Sequence, residues 1–209
     1  MRTRVKICGI TRPEDARAAV AAGVDAIGLV FSRQSVRYVT IDDAAAVIAA
    51  LPPFVTPVGL FMDADDEEVR QVLRRLRINL LQFHGQESPE QCRYGVPYIK
   101  AVAMGDAVDP AAAARVYGDS LALLLDSHAS GETGGTGRAF DWGRVPSSLE
   151  KPVILAGGLT AANVGEAILR VRPFAVDVSG GVERAPAIKD EAKIRAFIHE
   201  VRRADEEGG

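Results

Sequence analysis

Residues 152–181 read PVILAGGLTAANVGEAILRVRPFAVDVSGG, and this stretch decides the fold. It opens on a short apolar run, PVILAG. A longer segment follows in which Val164, Ala167, Ile168 and Val171 recur at helical spacing. A second short run, FAVDVS, closes it. Run length and periodicity separate strands from helices, so the segment reads as strand, helix, strand. Such a unit joins two parallel strands. A glycine pair follows each strand, Gly157-Gly158 and Gly180-Gly181.

The same alternation extends back to the amino terminus. RVKICG, DAIGLVF, TPVGLF, NLLQFH, YIKAVA and LALLLD are short apolar runs. Between and after the runs lie RPEDARAAVAAG, IDDAAAVIAAL, DDEEVRQVLRRL, PAAAARVYG and IKDEAKIRAFIHEVRR, all helical in spacing. Thr11, Asp65 and Thr160 signal helix starts, and Gly23, Gly95 and Gly118 signal helix ends. The count is about eight strand–helix units in 209 residues, the lower size range of a (β/α)₈ TIM barrel. An open doubly wound sheet is the rival, but it calls for a Gly-x-Gly-x-x-Gly turn after its first strand. Here that strand ends Cys8-Gly9-Ile10-Thr11. The expectation is an α/β barrel forming a single domain over residues 1–209.

Composition narrows the function. Hydrophobic residues make up 47% and the formal net charge is -3, with no basic stripe to bind nucleic acid. No apolar run reaches the ~20 residues of a membrane span, and the amino terminus lacks the pattern of a signal peptide. Two cysteines far apart are not a disulfide framework. A cytoplasmic protein acting on a small molecule is expected, with a monomer as the default.

Strand parity then assigns faces, because side chains alternate. Lys6 and Cys8 point into the barrel while Val5 and Ile7 point outward. Gln82 and His84 point in, as do Leu124, Asp126, Asp177 and Ser179. The polar residues gather toward the carboxyl ends of the strands, where such barrels carry their chemistry. The first and last strands neighbour one another in a closed barrel. Lys6 and Asp177 should therefore form a buried ion pair, since either alone would be costly there.

Cys8 combines an inward position, a strand end and a nearby cation, which lowers a thiol pKa and supplies a base or nucleophile. Cys92 has none of these features and reads as structural. Asp126 closes a nearly all-leucine strand, where apolar surroundings suit a proton donor. Gly157, Gly158, Gly180 and Gly181, with Ser179, fall in the two loops that bind phosphate in many barrels. Arg37 could grip a carboxylate with its planar fork. Gln82, His84, Lys6 and Asp177 are further candidates for substrate contact. The loop DSHASGETGGTGRAFDW suits closure over a substrate, with His128 solvated in it. No metal-ligand spacing appears, and no cofactor is expected.

The set VKICGIT, GVDAIGLVF, SVRYV, VGLF, LLQFHG, LLLD with GGTGRAFDW, VILAGGLTAANV and VDVSGGVE resembles the phosphoribosylanthranilate isomerases of tryptophan biosynthesis. The likeness runs from residue 5 to about 198. It implies a barrel catalysing an Amadori rearrangement, with Cys8 as general base and Asp126 as general acid. Arg37 would meet the carboxylated ring, and the glycine pairs would hold the phosphate. Val36 stands where proline is usual, Phe83 where leucine is, Gly180 where serine is and Ala187 where glycine is. Two rivals remain: the related isomerase of histidine synthesis, which uses two aspartates, and a non-catalytic sugar-phosphate sensor.

Overall fold

The computed structural model describes residues 2–105, 108–127 and 140–209. His128 and the glycine-rich loop around it lie outside the described residues. The strands are β1 (Arg4–Cys8), β2 (Ala26–Val30), β3 (Thr56–Phe61), β4 (Leu80–Phe83), β5 (Tyr98–Ala103), β6 (Ala122–Asp126), β7 (Val153–Leu155) and β8 (Ala175–Val178). They close in chain order into a parallel barrel. The closure between β1 and β8 sets Lys6 opposite Asp177 in the strand register.

The outer layer holds α1 (Pro13–Ala22), α2 (Ile41–Ala49), α3 (Asp66–Arg75), α4 (Pro110–Val116), α5 (Val164–Val171) and α6 (Glu191–Gly208). Local chemistry sets several of their ends. The Asp65 carboxylate accepts from Glu68 N at 2.8 Å, a cap of about 1 kcal/mol. Acidic residues fill the first turn of α3 and arginines its last, matching the helix dipole. Gly23 ends α1 at φ 97°, a left-handed conformation that glycine adopts without strain.

Four expectations need correction. Thr11 does not cap α1; its hydroxyl donates to Ala187 O at 2.8 Å, and Arg12 takes the cap position. Helix α5 begins at Val164 with Asn163 before it, while Asn163 Oδ1 accepts from Thr160 N. Gly95 follows only a 3₁₀ turn, Glu90–Cys92, since Pro89 and Pro97 interrupt that crossover. Ile188 and Lys189 belong to no helix. They form β10 (Ile188–Lys189), antiparallel to β9 (Glu183–Ala185), and Asp190 caps α6 behind them.

Outward residues such as Ile7, Ile27, Leu81, Phe83, Leu155 and Val176 pack under the helices with Ala16, Val69, Ala167 and Phe197. Inside the barrel, Ile99, Ala101, Leu124, Ile154, Ala156 and Ala175 form a separate apolar plug. Lys100 keeps the parity of β5, in which Tyr98 faces outward and Ile99 and Ala101 inward, but it places a charge in the apolar outer layer. It points outward from β5, where its ammonium meets Glu87 at 2.8 Å and Gly85 O at 2.7 Å. This buried pair holds the loop that follows β4.

Candidate active site

The carboxyl ends of β6, β7 and β8 and the loop after β2 surround a cleft of about 630 Å³. Arg37, Asp126, both glycine pairs, Ser179 and Glu183 line it. Its size suits a drug-sized ligand. A second cleft of about 600 Å³ lies at the opposite end, among Thr3, Pro152, Pro173 and Asp205. None of the expected site residues borders that one.

Cys8 ends β1 and is 7% exposed, packed against Val30 and Leu60. Burial pushes its thiol above the ordinary range, and Lys6 and Lys189 pull against that rise without cancelling it. The sequence led us to expect the reverse balance. Desolvation of the thiolate outweighs the cation because Lys6 is already spent on Asp177, 2.9 Å away. The ion pair is present as expected, with both side chains buried. Asp177 borders the cleft and Lys6 lies behind it, so the pair sets the field at the cleft floor.

Gly28 on β2 makes room for this arrangement. A Cβ there would lie 2.7 Å from Cys8 Sγ and 3.2 Å from Lys6 Nζ. At Gly9 a Cβ would overlap the methylenes of Arg37, so that arginine lies directly over the backbone following Cys8.

Arg37 is not idle in the cleft. Its Nε and Nη2 both donate to Glu183 at 2.8 Å. Glu183 also accepts from Lys189 Nζ at 2.8 Å. The two basic partners hold the Glu183 carboxyl below its usual range against the effect of burial.

Asp126 ends β6, and His84 Nε2 lies 3.6 Å from its Oδ2. Gln82 is fully buried and meets His84 Nδ1 at 3.2 Å, which places it behind the histidine rather than in the cleft. With the Gln82 amide donating to Nδ1, the ring proton sits on Nε2 and faces Asp126. Burial lowers the His84 pKa, with Asp126 opposing it, so the ring stays neutral near pH 7. The Gln82 Oε1 has no hydrogen-bond partner.

The loops after β7 and β8 touch through bare backbone. A Cβ at Gly181 would overlap Leu159 O. Gly157, at φ 85°, turns its loop against Ser127. The Ser179 hydroxyl, expected at the phosphate, donates instead to Cys8 O at 3.0 Å. Among the described residues no group of His, Cys, Asp and Glu could hold a metal ion. Nor is any helix among them long and apolar enough to cross a membrane.

Residues 5–200 match the family model of N-(5'-phosphoribosyl)anthranilate (PRA) isomerase. The chain belongs to the phosphoribosylanthranilate isomerase family. A Pseudomonas fluorescens N-(5'-phosphoribosyl)anthranilate isomerase is 58% identical over 204 residues, 97% of each chain. The phosphoribosyl anthranilate isomerase of Thermotoga maritima has a similar structure, with TM-score 0.88 and 40% identity over 96% of this chain and 98% of that one. A phosphoribosyl anthranilate isomerase solved with reduced 1-(o-carboxyphenylamino)-1-deoxyribulose 5-phosphate matches at TM-score 0.82 and 38% identity, over 96% of this chain and 98% of that one.

Within this family member, reasoning from sequence missed Glu183, Lys189, Gly28 and Gly9 as parts of the site. Glu183 and Lys189 stand in the VDVSGGVE and IKD segments, but their pairing depends on a hairpin too short to signal itself. A glycine inside β2 was the one available hint of a close approach from a neighbouring strand.

Proposed function

We propose that this chain converts N-(5-phosphoribosyl)anthranilate to 1-(2-carboxyphenylamino)-1-deoxyribulose 5-phosphate, on one barrel domain formed by residues 1–209 and in the cytoplasm. The observation that carries the reading is the convergence of Asp126, Arg37 and the two glycine pairs on one cleft, with Cys8 just beneath it. Every group in the scheme comes from one chain, so a monomer suffices.

Asp126 gives a proton to the furanose ring oxygen as the ring opens to an iminium ion. Cys8, as thiolate, takes the proton from the second sugar carbon. The resulting enolamine tautomerises to the ketone. Burial holds the Cys8 proton in the free protein. The iminium brings a positive charge beside the sulfur, which favours the thiolate at the moment it is needed. His84, neutral and turned toward Asp126, orients the carboxyl. The glycine loops offer main-chain donors to the phosphate, and Arg37 meets the ring carboxylate. Acid and base contribute about 10²–10⁴-fold each.

The test is a fluorescence assay that follows loss of the anthranilate amine signal from phosphoribosylanthranilate. Turnover that disappears after alkylation of Cys8 supports the scheme. Full turnover with Cys8 alkylated overturns the base assignment.

A further inference from the structure

We propose that Lys189 is a positioning residue that keeps Arg37 attractive to an incoming carboxylate, by sharing the charge of Glu183. The inference rests on the reading of Arg37 as the contact for the anthranilate carboxylate. A guanidinium presents two edges able to take a carboxylate side by side: Nε with Nη2, and Nη1 with Nη2. Glu183 occupies the first edge through both of its oxygens. Arg37 and Glu183 alone would sum to zero charge, and a second carboxylate would then meet Glu183 as a competitor.

Lys189 changes that sum. Its Nζ lies 2.8 Å from Glu183 Oε1, and the side chain is completely buried. The hairpin sets the two residues opposite one another, Lys189 on β10 and Glu183 on β9. Further contacts hold the ammonium in place, to Ser179 O at 3.2 Å and Ser179 Oγ at 3.4 Å. Three charges thus share one cluster, with a net of one positive. Burying a cation beside an ion pair that is already complete is costly. The fold accepts that cost next to the cleft, where a surplus positive charge would act on an anion.

The experiment is calorimetric binding of two stable ligands, 1-(2-carboxyphenylamino)-1-deoxyribulose 5-phosphate and its analogue without the ring carboxylate. Product binding keeps the Cys8 chemistry out of the readout. The protein should prefer the carboxylated ligand, and Lys189→Gln, which keeps a hydrogen bond to Glu183 but loses the charge, should reduce that preference by about tenfold. Affinity for the analogue should change little. The double variant Glu183→Gln with Lys189→Met leaves Arg37 uncompensated and should restore the preference. An unchanged preference in Lys189→Gln, or a lost one in the double variant, overturns the proposal. Should Lys189→Gln not fold, the double variant still decides, since it carries no unpaired buried carboxylate. A parent protein without any preference overturns the Arg37 reading itself, and this inference with it.

Discussion

Lys6 and Asp177 stand opposite one another across the seam where β1 meets β8, their charged atoms 2.9 Å apart inside the barrel. The register that closes the barrel therefore also neutralises two charges at the floor of the cleft, which Asp177 borders. Removing one partner leaves the other buried and unpaired. Lys6→Met or Asp177→Asn alone is expected to cost about 3–5 kcal/mol. The double variant should cost much less than the sum of the two. Urea midpoints of the three variants check this, and additive losses would contradict it.

Loss of the acid or the base should remove turnover without removing the fold. Asp126→Asn and Cys8→Ala should each lower kcat by about 10²–10⁴-fold. Melting curves should stay close to those of the parent. Near-normal turnover in either variant would refute the role assigned to that residue.

The state of the Cys8 thiol can be read from its alkylation. Burial raises its pKa in the free protein, so reaction with iodoacetamide should be slow at neutral pH and accelerate as pH rises past the ordinary thiol range. Cys92, pushed up to about 12 by burial, should likewise resist labelling at neutral pH. Rapid labelling of Cys8 at pH 6 would show that the cations prevail over desolvation.

Gly28 should tolerate no side chain. The Cβ of Gly28→Ala would sit 2.7 Å from Cys8 Sγ and must displace it. A misplacement of this kind can cost about 10²-fold in rate. The loss is expected in kcat, with KM little changed. A variant with wild-type kcat would mean that the sulfur position is not critical.

Stability should also depend on His84. Burial lowers its pKa in the folded state, so the unfolded chain binds more protons at pH values between the folded pKa and the usual 6.5. Stability contributed by the neutral ring is complete above that window and is lost as pH falls through it. His84→Gln should flatten this part of the profile, as judged by unfolding midpoints between pH 5 and 7. A slope identical to the parent's would remove His84 from the account.

The eight strands were legible because each is a short apolar run with a fixed two-residue alternation. That alternation by itself puts Lys6, Cys8, His84, Asp126 and Asp177 on inward parity. The crossover after β4 was less legible, because two prolines cut it to a 3₁₀ turn. Parity gives Lys100 its outward position, but its partner was unreadable, since Glu87 reaches the ammonium from a loop rather than from the strand.

By itself the sequence determined the order of elements and the gathering of polar groups at one end, both consequences of local periodicity, and the missing glycine turn after the first strand favoured a closed barrel over an open sheet. Only the tertiary structure decided how the charges are shared. Glu183 binds Arg37 across 146 positions of chain, and Gly28 leaves space for a sulfur on the neighbouring strand. Whether a cation activates a buried thiol depends on which other charges reach that cation and on how much water is excluded. Those are distances in space, and no spacing along the chain encodes them.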